Sequence, residues 1–469
     1  MVFMTIHWFV LIIRAKMPLH LRKKRKFVFM KSLIVFLLSV SVIMDVLAVN
    51  FGKYFADSTL RIDYIFGGRP GDVHVMMDSQ TKTPVWAGRR HHLAEAPCPG
   101  NGSVIVRSPI TGDTLYVNTF SSLFQEWLST DEASAVARSF ENSFQVPLPL
   151  REAEIVLTLY DNRRNRIAEH VSLYSPADEL VAVRGDRPLP HKYIHRGGDP
   201  GRAIDVAILA EGYRVEEMDS FEVHARRIAD EILSYEPYAS NRHKFNFVAV
   251  MSPSNESGAS IPLEKVWKDT SFGTHFSTFH SPRYLTVPHV HDLHRALEGI
   301  PYEHILILVN TESYGGGGIY NNYHISAARN SFALPVAVHE FGHSFGGLAD
   351  EYFYDGEEDS TYPLDLEPWE ANITTLVEFD SKWKDMLASG TPVPTPWTDK
   401  GGTREDRMKE AAANAAQSDT VGVYEGAGYR SRKIYRPAVT CRMRDNYHPT
   451  FCPVCRRAIL RVIDFYTSE

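Results

Sequence analysis

Residues 335–352 read PVAVHEFGHSFGGLADEY, and this stretch decides how the chain is interpreted. His339 and His343 stand four positions apart, so on a helix they lie about 40° apart in angle and roughly 6 Å apart along the axis, on one face. Both imidazole rings can therefore reach one metal ion. Glu340 lies about 100° round the helix, where a carboxylate can accept a proton from an attacking water molecule.

The chain after the second histidine is expected to turn back toward the same ion. Gly346 and Gly347 can adopt the left-handed or extended backbone that ends a helix. Asp350 is the predicted third ligand, because a turn with two glycines can deliver the first available carboxylate to the open side of the helix. Glu351 is the alternative with the longer reach, and His448 is a more distant one.

The donor set indicates zinc. Two imidazoles and one carboxylate leave one tetrahedral position open for water, which is the catalytic rather than the structural pattern. A bare H-E-x-x-H would arise by chance in such a chain with a probability of about 5%, but the apolar lead-in, the glycines and the acidic pair make this match more specific. We predict one catalytic Zn2+ ion, Glu340 as general base, and a phenol or cation at the developing oxyanion. The candidates for that last role are Tyr352, Tyr447 and His448.

The same stretch resembles a known family. HEFGHSFGGLADEY looks like the signature of the M64 metallopeptidases, which are typified by a bacterial immunoglobulin A peptidase. Residues 200–469 resemble the peptidase domain of that family, and residues 50–185 resemble the β-rich domain that precedes it. Further segments that resemble its C-terminal block are 426–429, 435–437, 441–444 and 451–455. The resemblance implies a zinc-dependent endopeptidase, exported by a bacterium, that acts on protein or peptide substrates; it does not imply that antibodies are the substrate.

One position departs from a related pattern. The metzincin motif H-E-x-x-H-x-x-G-x-x-H/D has its third ligand at the position that Ala349 holds here, and the first carboxylate follows one residue later. By analogy with metzincins, Met443 is a candidate for the methionine of a turn beneath the metal. The alternative for Met443 is ordinary packing in an apolar core.

Residues 1–48 are predicted to be a signal and targeting segment rather than part of the fold. An apolar run at 33–47 ends in small residues of the kind that a signal peptidase recognises. Met30 is the predicted true start, because a basic run precedes it, and the mature chain is expected to begin near Val49. The alternative is an uncleaved anchor helix over residues 27–48. No later apolar run reaches membrane length, so we predict no stable membrane span after processing and a secreted, periplasmic or cell-surface location.

The remainder is predicted to form an α+β protein of two domains. Residues 49–185 alternate in the manner of β-strands, which favours an antiparallel β-sandwich-like N-terminal domain. Strand and helix patterns alternate within residues 190–469, which predicts an α/β domain. The resemblance to the M64 family implies that this domain is a zincin-like metallopeptidase domain. The predicted elements are a hairpin at 153–160 and 166–174, strands at 204–210, 245–251 and 304–310, and a helix at 216–235.

Three segments of the second domain are predicted to lie at its surface. Residues 315–318 are all glycine, which predicts a mobile loop. The strand predicted after them, at 319–325, could present an exposed edge to an extended peptide. Residues 355–420 are acidic and then rich in Pro, Thr and Ala, which predicts a surface insertion.

Composition limits the classes of function. The formal net charge is −7 although the first 48 residues are basic, so the body of the protein is acidic and nucleic acid is not an expected partner. The four cysteines are too few for a disulfide scaffold, and Cys441 is predicted to bridge to Cys452 or Cys455. A redox or zinc role for the Cys-x-x-Cys pair is the alternative.

Two other functions stay open on the sequence alone. The first is an exported binding module that retains the zinc ion and cleaves nothing, and the intact Glu340 argues against it. The second is a zinc hydrolase that acts on a small amide. The sequence leaves the oligomeric state open.

Overall fold

Strands dominate the structure, a computed structural model that describes residues 49–354, 361–397, 409 and 419–468. The predicted targeting segment at 1–48 and its cleavage site lie outside the described residues, as do parts of the predicted insertion. Within the described residues, no helix is both long enough and apolar enough to cross a membrane. The described residues from Asn50 onward belong to one compact unit.

Two four-stranded sheets make up the N-terminal part. Their orders are β5-β1-β2-β8 and β4-β3-β6-β7, and neighbouring strands are antiparallel except β2 and β8. The strands are β1 (Phe55–Arg69), β2 (Asp72–Pro84), β3 (Gly102–Arg107), β4 (Thr114–Phe120), β5 (Arg138–Pro149), β6 (Ala153–Tyr160), β7 (Arg166–Tyr174) and β8 (Ala182–Val183). The short helices are α1 (Phe51–Tyr54), α2 (Leu123–Trp127) and α3 (Asp131–Ala135).

Aromatic side chains join these two sheets. Phe66 and Phe144 of the first sheet pack on Phe120 of the second, with ring centroids 6.3 Å and 4.1 Å from it. All three rings are buried, and rings in such contact contribute more than their buried area alone. The antiparallel, face-to-face arrangement agrees with the predicted β-rich domain, and the predicted hairpin at 153–160 and 166–174 is confirmed.

A six-stranded central sheet follows, with the order β13-β14-β12-β10-β11-β9. Its strands are β9 (His191–Arg196), β10 (Ile204–Glu211), β11 (Phe245–Val250), β12 (His304–Val309), β13 (Gly316–Ile319) and β14 (Tyr323–Ala327). The helices are α4 (Met218–Ile232), α5 (Val290–Ala296), α6 (Ala333–Ser344) and α7 (Pro453–Thr467). Short 3-10 helices lie at Val215–Glu217, Arg242–Lys244, Pro262–Glu264, Thr278–His280, Phe379–Ser381 and Lys384–Met386.

The inner strands of the central sheet are parallel and the two edge strands are antiparallel. Every residue of β10 is buried, as expected for a parallel strand that has both faces covered. The predicted strands at 204–210, 245–251 and 304–310 and the predicted helix at 216–235 are therefore confirmed with shifts of a few residues at their ends.

The glycine run at 315–318 does not form the mobile loop that the sequence predicts. It is not a loop but forms β13 at the edge of the sheet, and the next strand begins at Tyr323 rather than at residue 319. A Cβ atom on Gly316 would lie 2.9 Å from Glu340 Oε1, and one on Gly318 would lie 2.5 Å from the Glu340 backbone oxygen. Glycine is needed here because β13 packs directly against α6.

The described part of the predicted surface insertion also differs from expectation. Ile373 and Trp383 are completely buried, and Trp383 belongs to the main apolar core. Thr374 exchanges backbone hydrogen bonds with Tyr435 of a three-stranded sheet ordered β15-β17-β16. That sheet consists of β15 (Phe353–Tyr354), β16 (Tyr424–Ala427) and β17 (Tyr429–Arg436). Residues 361–397 thus support the core as well as the surface.

Candidate metal centre

Helix α6 carries the two histidines and is buried on almost all sides. It ends as the two glycines predict: Gly347 has a left-handed φ of 59°, and its N–H donates to the His343 carbonyl oxygen at 3.0 Å. This is the common glycine termination of a helix. The chain then returns along the helix, so that Asp350 faces the histidines.

Three donor atoms converge beside α6. His339 Nε2 and His343 Nε2 lie 3.0 Å and 3.2 Å from Asp350 Oδ1, and the two nitrogens lie 3.1 Å from each other. Tetrahedral zinc with bonds of about 2.0–2.1 Å separates its ligand atoms by roughly 3.3 Å. Asp350 is also buried, so its Oδ1 faces the two ring nitrogens away from solvent. The triangle therefore fits one small metal ion.

Hydrogen bonds outside the triangle orient each donor. His339 Nδ1 lies 3.0 Å from the Arg442 carbonyl oxygen, and His343 Nδ1 lies 2.6 Å from that of Leu348. When each ring is neutral and keeps its proton on Nδ1, its Nε2 lone pair faces the centre and can bind a metal ion. On the third side, the Tyr429 hydroxyl donates to Asp350 Oδ2 at 2.5 Å.

The charges of the triangle are coupled. Burial alone would raise the pKa of Asp350, but His343 and His339 outweigh burial and lower it well below its usual range. Burial alone would lower the pKa of His343, but the charge of Asp350 and the contact with it raise that pKa to about 9. Asp350 is therefore ionised, as an oxygen ligand has to be.

Glu340 stands beside the triangle, and one of its carboxylate oxygens lies within 4.8 Å of ring nitrogens of both histidines. Burial raises the pKa of Glu340, the two histidines lower it, and the charge of Asp350 raises it further; the net shift is upward. A carboxyl group with a raised pKa holds an accepted proton more readily than an ordinary glutamate. The side chain is thus suited to proton transfer at the centre.

The predicted oxyanion donors lie at different places. The Tyr352 ring stacks along His339, with centroids 6.5 Å apart, and the Arg283 guanidinium lies 5.9 Å from its centroid. Burial raises the pKa of Tyr352 well above the usual value, and the charge of Asp350 adds to this, so the phenol keeps its proton. Tyr447 packs on Phe332 farther along the same cleft.

His448 and Met443 belong to the segment beneath the helix. His448 is fully buried, and its Nδ1 lies 2.8 Å from the Thr450 carbonyl oxygen of the same loop. Met443 is also buried and packs against Gly342 of α6, between the two histidines along the chain. Its carbonyl oxygen accepts from the Glu351 N–H at 2.8 Å, so the segment with the methionine supports the segment of Asp350 and Glu351.

Glu351, the alternative third ligand, points away from the triangle. Its Oε1 lies 3.0 Å from Cys455 Sγ and accepts from Asn372 Nδ2 at 2.9 Å. The cysteines are free thiols, and Cys441 Sγ and Cys455 Sγ are 3.8 Å apart. A disulfide bond is about 2.05 Å long, so the bridge predicted from the sequence is not formed.

Sequence reasoning missed three residues of the site. Asn372 holds the segment just before Asp350, since its side chain bonds both the N–H and the carbonyl oxygen of Ala349 at 2.8 Å. Tyr429 holds Asp350, and Arg283 borders Tyr352 and donates to the Tyr354 hydroxyl. The only sequence signal for any of them was the Gly-Ala-Gly-Tyr segment that ends at Tyr429, because Asn372 and Arg283 lie far from the motif in sequence.

A cleft of about 1530 Å³ opens over the triangle. One wall belongs to the N-terminal part, where Gln125, Glu126 and Thr130 line the cleft, and another belongs to β13 and α6. Tyr284 links the two walls, because it forms a backbone bridge with Gly316 of β13 and its hydroxyl donates to Glu126 Oε2 at 2.6 Å. The cleft is therefore lined both by the helical segment of the N-terminal part and by the elements that carry the triangle.

Comparison with protein families gives two matches. A family described as IgA Peptidase M64 matches residues 193–415 and 402–463. A second family, described as Peptidase M64 N-terminus, matches residues 50–171. A comparison with curated proteins gave no match.

Proposed function

This chain belongs to the M64 peptidase family, and from that premise we propose that it is a zinc-dependent endopeptidase whose centre is the triangle of His339, His343 and Asp350. The observation that carries the proposal is the convergence of their three donor atoms within 3.0–3.2 Å, with the Glu340 carboxylate alongside. Two imidazoles and a carboxylate with room for water are the donor set of a catalytic zinc site.

The residues of the chain have separate tasks in hydrolysis. When bound, zinc would polarise the scissile carbonyl and make the attacking water more acidic. Glu340 accepts the proton of that water and then passes it to the leaving amine, which requires a carboxyl group that can hold a proton for part of the cycle. Its raised pKa suits this task. Tyr429, Asn372 and the Arg442 carbonyl oxygen hold the ligands in position.

The substrate is proposed to lie across the cleft as an extended peptide. Strand β13 is the edge strand next to α6, and an extended peptide can pair with such an edge. The Leu285 N–H already donates to the Gly316 carbonyl oxygen at 3.4 Å. A substrate peptide would therefore pair with the residues of β13 that follow Gly316. The glycines keep this edge close to Glu340, which brings the backbone of a paired peptide to the centre.

We also propose that the chain has the domain bounds and the location predicted from the sequence. Residues 49–185 would form the β-rich domain, which contributes one wall of the cleft, and residues 190–469 would form the peptidase domain. Export through a signal peptide at 1–48 would give a secreted, periplasmic or cell-surface enzyme. Mass spectrometry of the exported protein tests this part, since an N-terminus near Val49 is expected and retained residues 30–48 would favour an anchor.

The function is tested by digestion of a denatured protein. We expect new N-termini to appear, an excess of chelator to stop their release, and added zinc to restore it, because the proposed chemistry needs the ion at His339, His343 and Asp350. Cleavage that continues after zinc has been removed and its absence measured would contradict the metal mechanism. No cleavage in the zinc-loaded protein would favour the binding module, and turnover of small amides alone would favour the other hydrolase.

Tyr352→Phe tests the oxyanion donor. Loss of one such donor typically lowers kcat by about 10²–10³-fold, so we expect a decrease of that size with KM and zinc content nearly unchanged. Tyr447→Phe is the matched control, because it removes the same hydroxyl from the alternative candidate in the same cleft. A large loss of kcat in Tyr447→Phe with a normal Tyr352→Phe would exchange the two roles.

A further inference from the structure

A second group of metal-binding side chains lies outside the candidate centre. Glu351, Cys441, Cys452 and Cys455 each offer one ligand atom, and these atoms all lie within 4.8 Å of one another. All four side chains are completely buried. They come from separate parts of the chain: one follows Asp350, one precedes Met443, and two stand at the start of α7.

The distances within this thiol cluster match a tetrahedral ion. Cys441 Sγ and Cys455 Sγ are 3.8 Å apart, whereas zinc–sulfur bonds of about 2.3 Å in tetrahedral geometry separate two sulfur atoms by roughly 3.8 Å. Glu351 Oε1 lies 3.0 Å from Cys455 Sγ. The three sulfur atoms and the carboxylate thus surround one point.

The carboxylate supplies an independent sign of a ligand. Glu351 Oε2 is buried and makes no hydrogen bond within the described residues, and an uncompensated buried carboxylate oxygen is costly. The positive charge of Arg436 acts on Glu351 from nearby. That guanidinium offsets the charge of one carboxylate, whereas one divalent ion at the centre of the cluster would bind the carboxylate and the three sulfur atoms together.

We propose that Cys441, Cys452, Cys455 and Glu351 bind a second zinc ion, which is structural. Three thiolates and one carboxylate fill all four tetrahedral positions and leave none for water, which is the closed pattern of a structural site. The proposal does not depend on peptidase activity, because it rests on a different set of ligands.

The second ion would stabilise the segments next to the candidate centre. It would tie Glu351, the residue after Asp350, to Cys441, the residue before Arg442. The Arg442 carbonyl oxygen holds His339, and Asp350 faces both histidines. The second ion would therefore fix the segments that orient two members of the triangle.

The test uses the whole mature protein loaded with cobalt(II), which replaces zinc and reports its ligands by absorption. We expect about two metal ions per chain, one of them in an all-protein site, together with thiolate-to-cobalt charge-transfer absorption, which a site of nitrogen and oxygen ligands cannot give. His343→Ala should lose the ion at the triangle and keep the charge-transfer absorption. Cys452→Ser should lose that absorption, and Cys98→Ser is the matched control, since Cys98 lies outside the cluster.

A conservative variant covers the case in which Cys452→Ser does not fold. Glu351→Gln keeps the shape of the side chain, and we expect it to lower the affinity of the thiol cluster for cobalt and to shift the charge-transfer band. A folded, metal-loaded wild-type protein without that band would overturn the proposal. A disulfide between Cys441 and Cys452 or Cys455 in peptides from the unreduced protein would overturn it as well, whether or not the peptidase is active.

Discussion

Glu340→Gln is expected to abolish measurable proteolysis while the protein keeps the metal ion of its centre. The amide has nearly the shape of the carboxylate but cannot accept the proton of the attacking water. A general base typically contributes about 10²–10⁴-fold to the rate, so kcat/KM should fall by at least that range. Turnover of a peptide library and metal analysis of the same preparation give the two measurements.

The metal content of Glu340→Gln shows whether its loss of activity comes from lost proton transfer or from lost zinc. Glu340 stands beside the triangle and not within it, and the donor atoms of the ligands have their own supports at Arg442, Leu348 and Tyr429. Affinity for zinc should therefore match that of the unchanged protein. Loss of zinc in Glu340→Gln would assign this side chain to ligation, and full activity with zinc bound would remove it from proton transfer.

Local sequence patterns predicted the centre of the site. His339 and His343 follow from helical spacing, and the helix end follows from the glycines, since both depend on residues within one or two turns of one another. The preference for Asp350 over Glu351 also came from the sequence, and Asp350 is the carboxylate that the structure brings to the histidines. Three strands of the central sheet, β10, β11 and β12, were predictable as well, because their apolar runs are continuous.

What the sequence did not predict depends on contacts between distant segments. The glycine run indicated a loop by propensity, but close packing against Glu340 makes it a strand. Asn372 lies in a segment whose composition indicates surface, yet its side chain holds the backbone of Ala349. The cysteines were assigned to a bridge because nothing local to them shows that Glu351 joins the group. Tertiary packing overrides local preference in each case.

Asp350→Ala is expected to empty the triangle of its ion and to leave the thiol cluster intact. Removal of groups that merely support a ligand already costs about 10–100-fold in metal affinity, so loss of the ligand itself should cost more. Titration of the metal-free protein with cobalt gives the affinity, and proteolysis should fall together with metal occupancy.

Glu351→Ala is the matched neighbour and should give the opposite pattern. The triangle should keep its ion, while the thiolate-to-cobalt absorption weakens or disappears because the cluster loses its only oxygen ligand. Total metal content cannot distinguish the two variants, since each is expected to lose one ion. The absorption spectrum distinguishes them, because only the thiol cluster has sulfur ligands. If Asp350→Ala loses the thiolate absorption and keeps the other ion, while Glu351→Ala does the reverse, the two adjacent carboxylates exchange sites, and Glu351 is the third ligand of the centre.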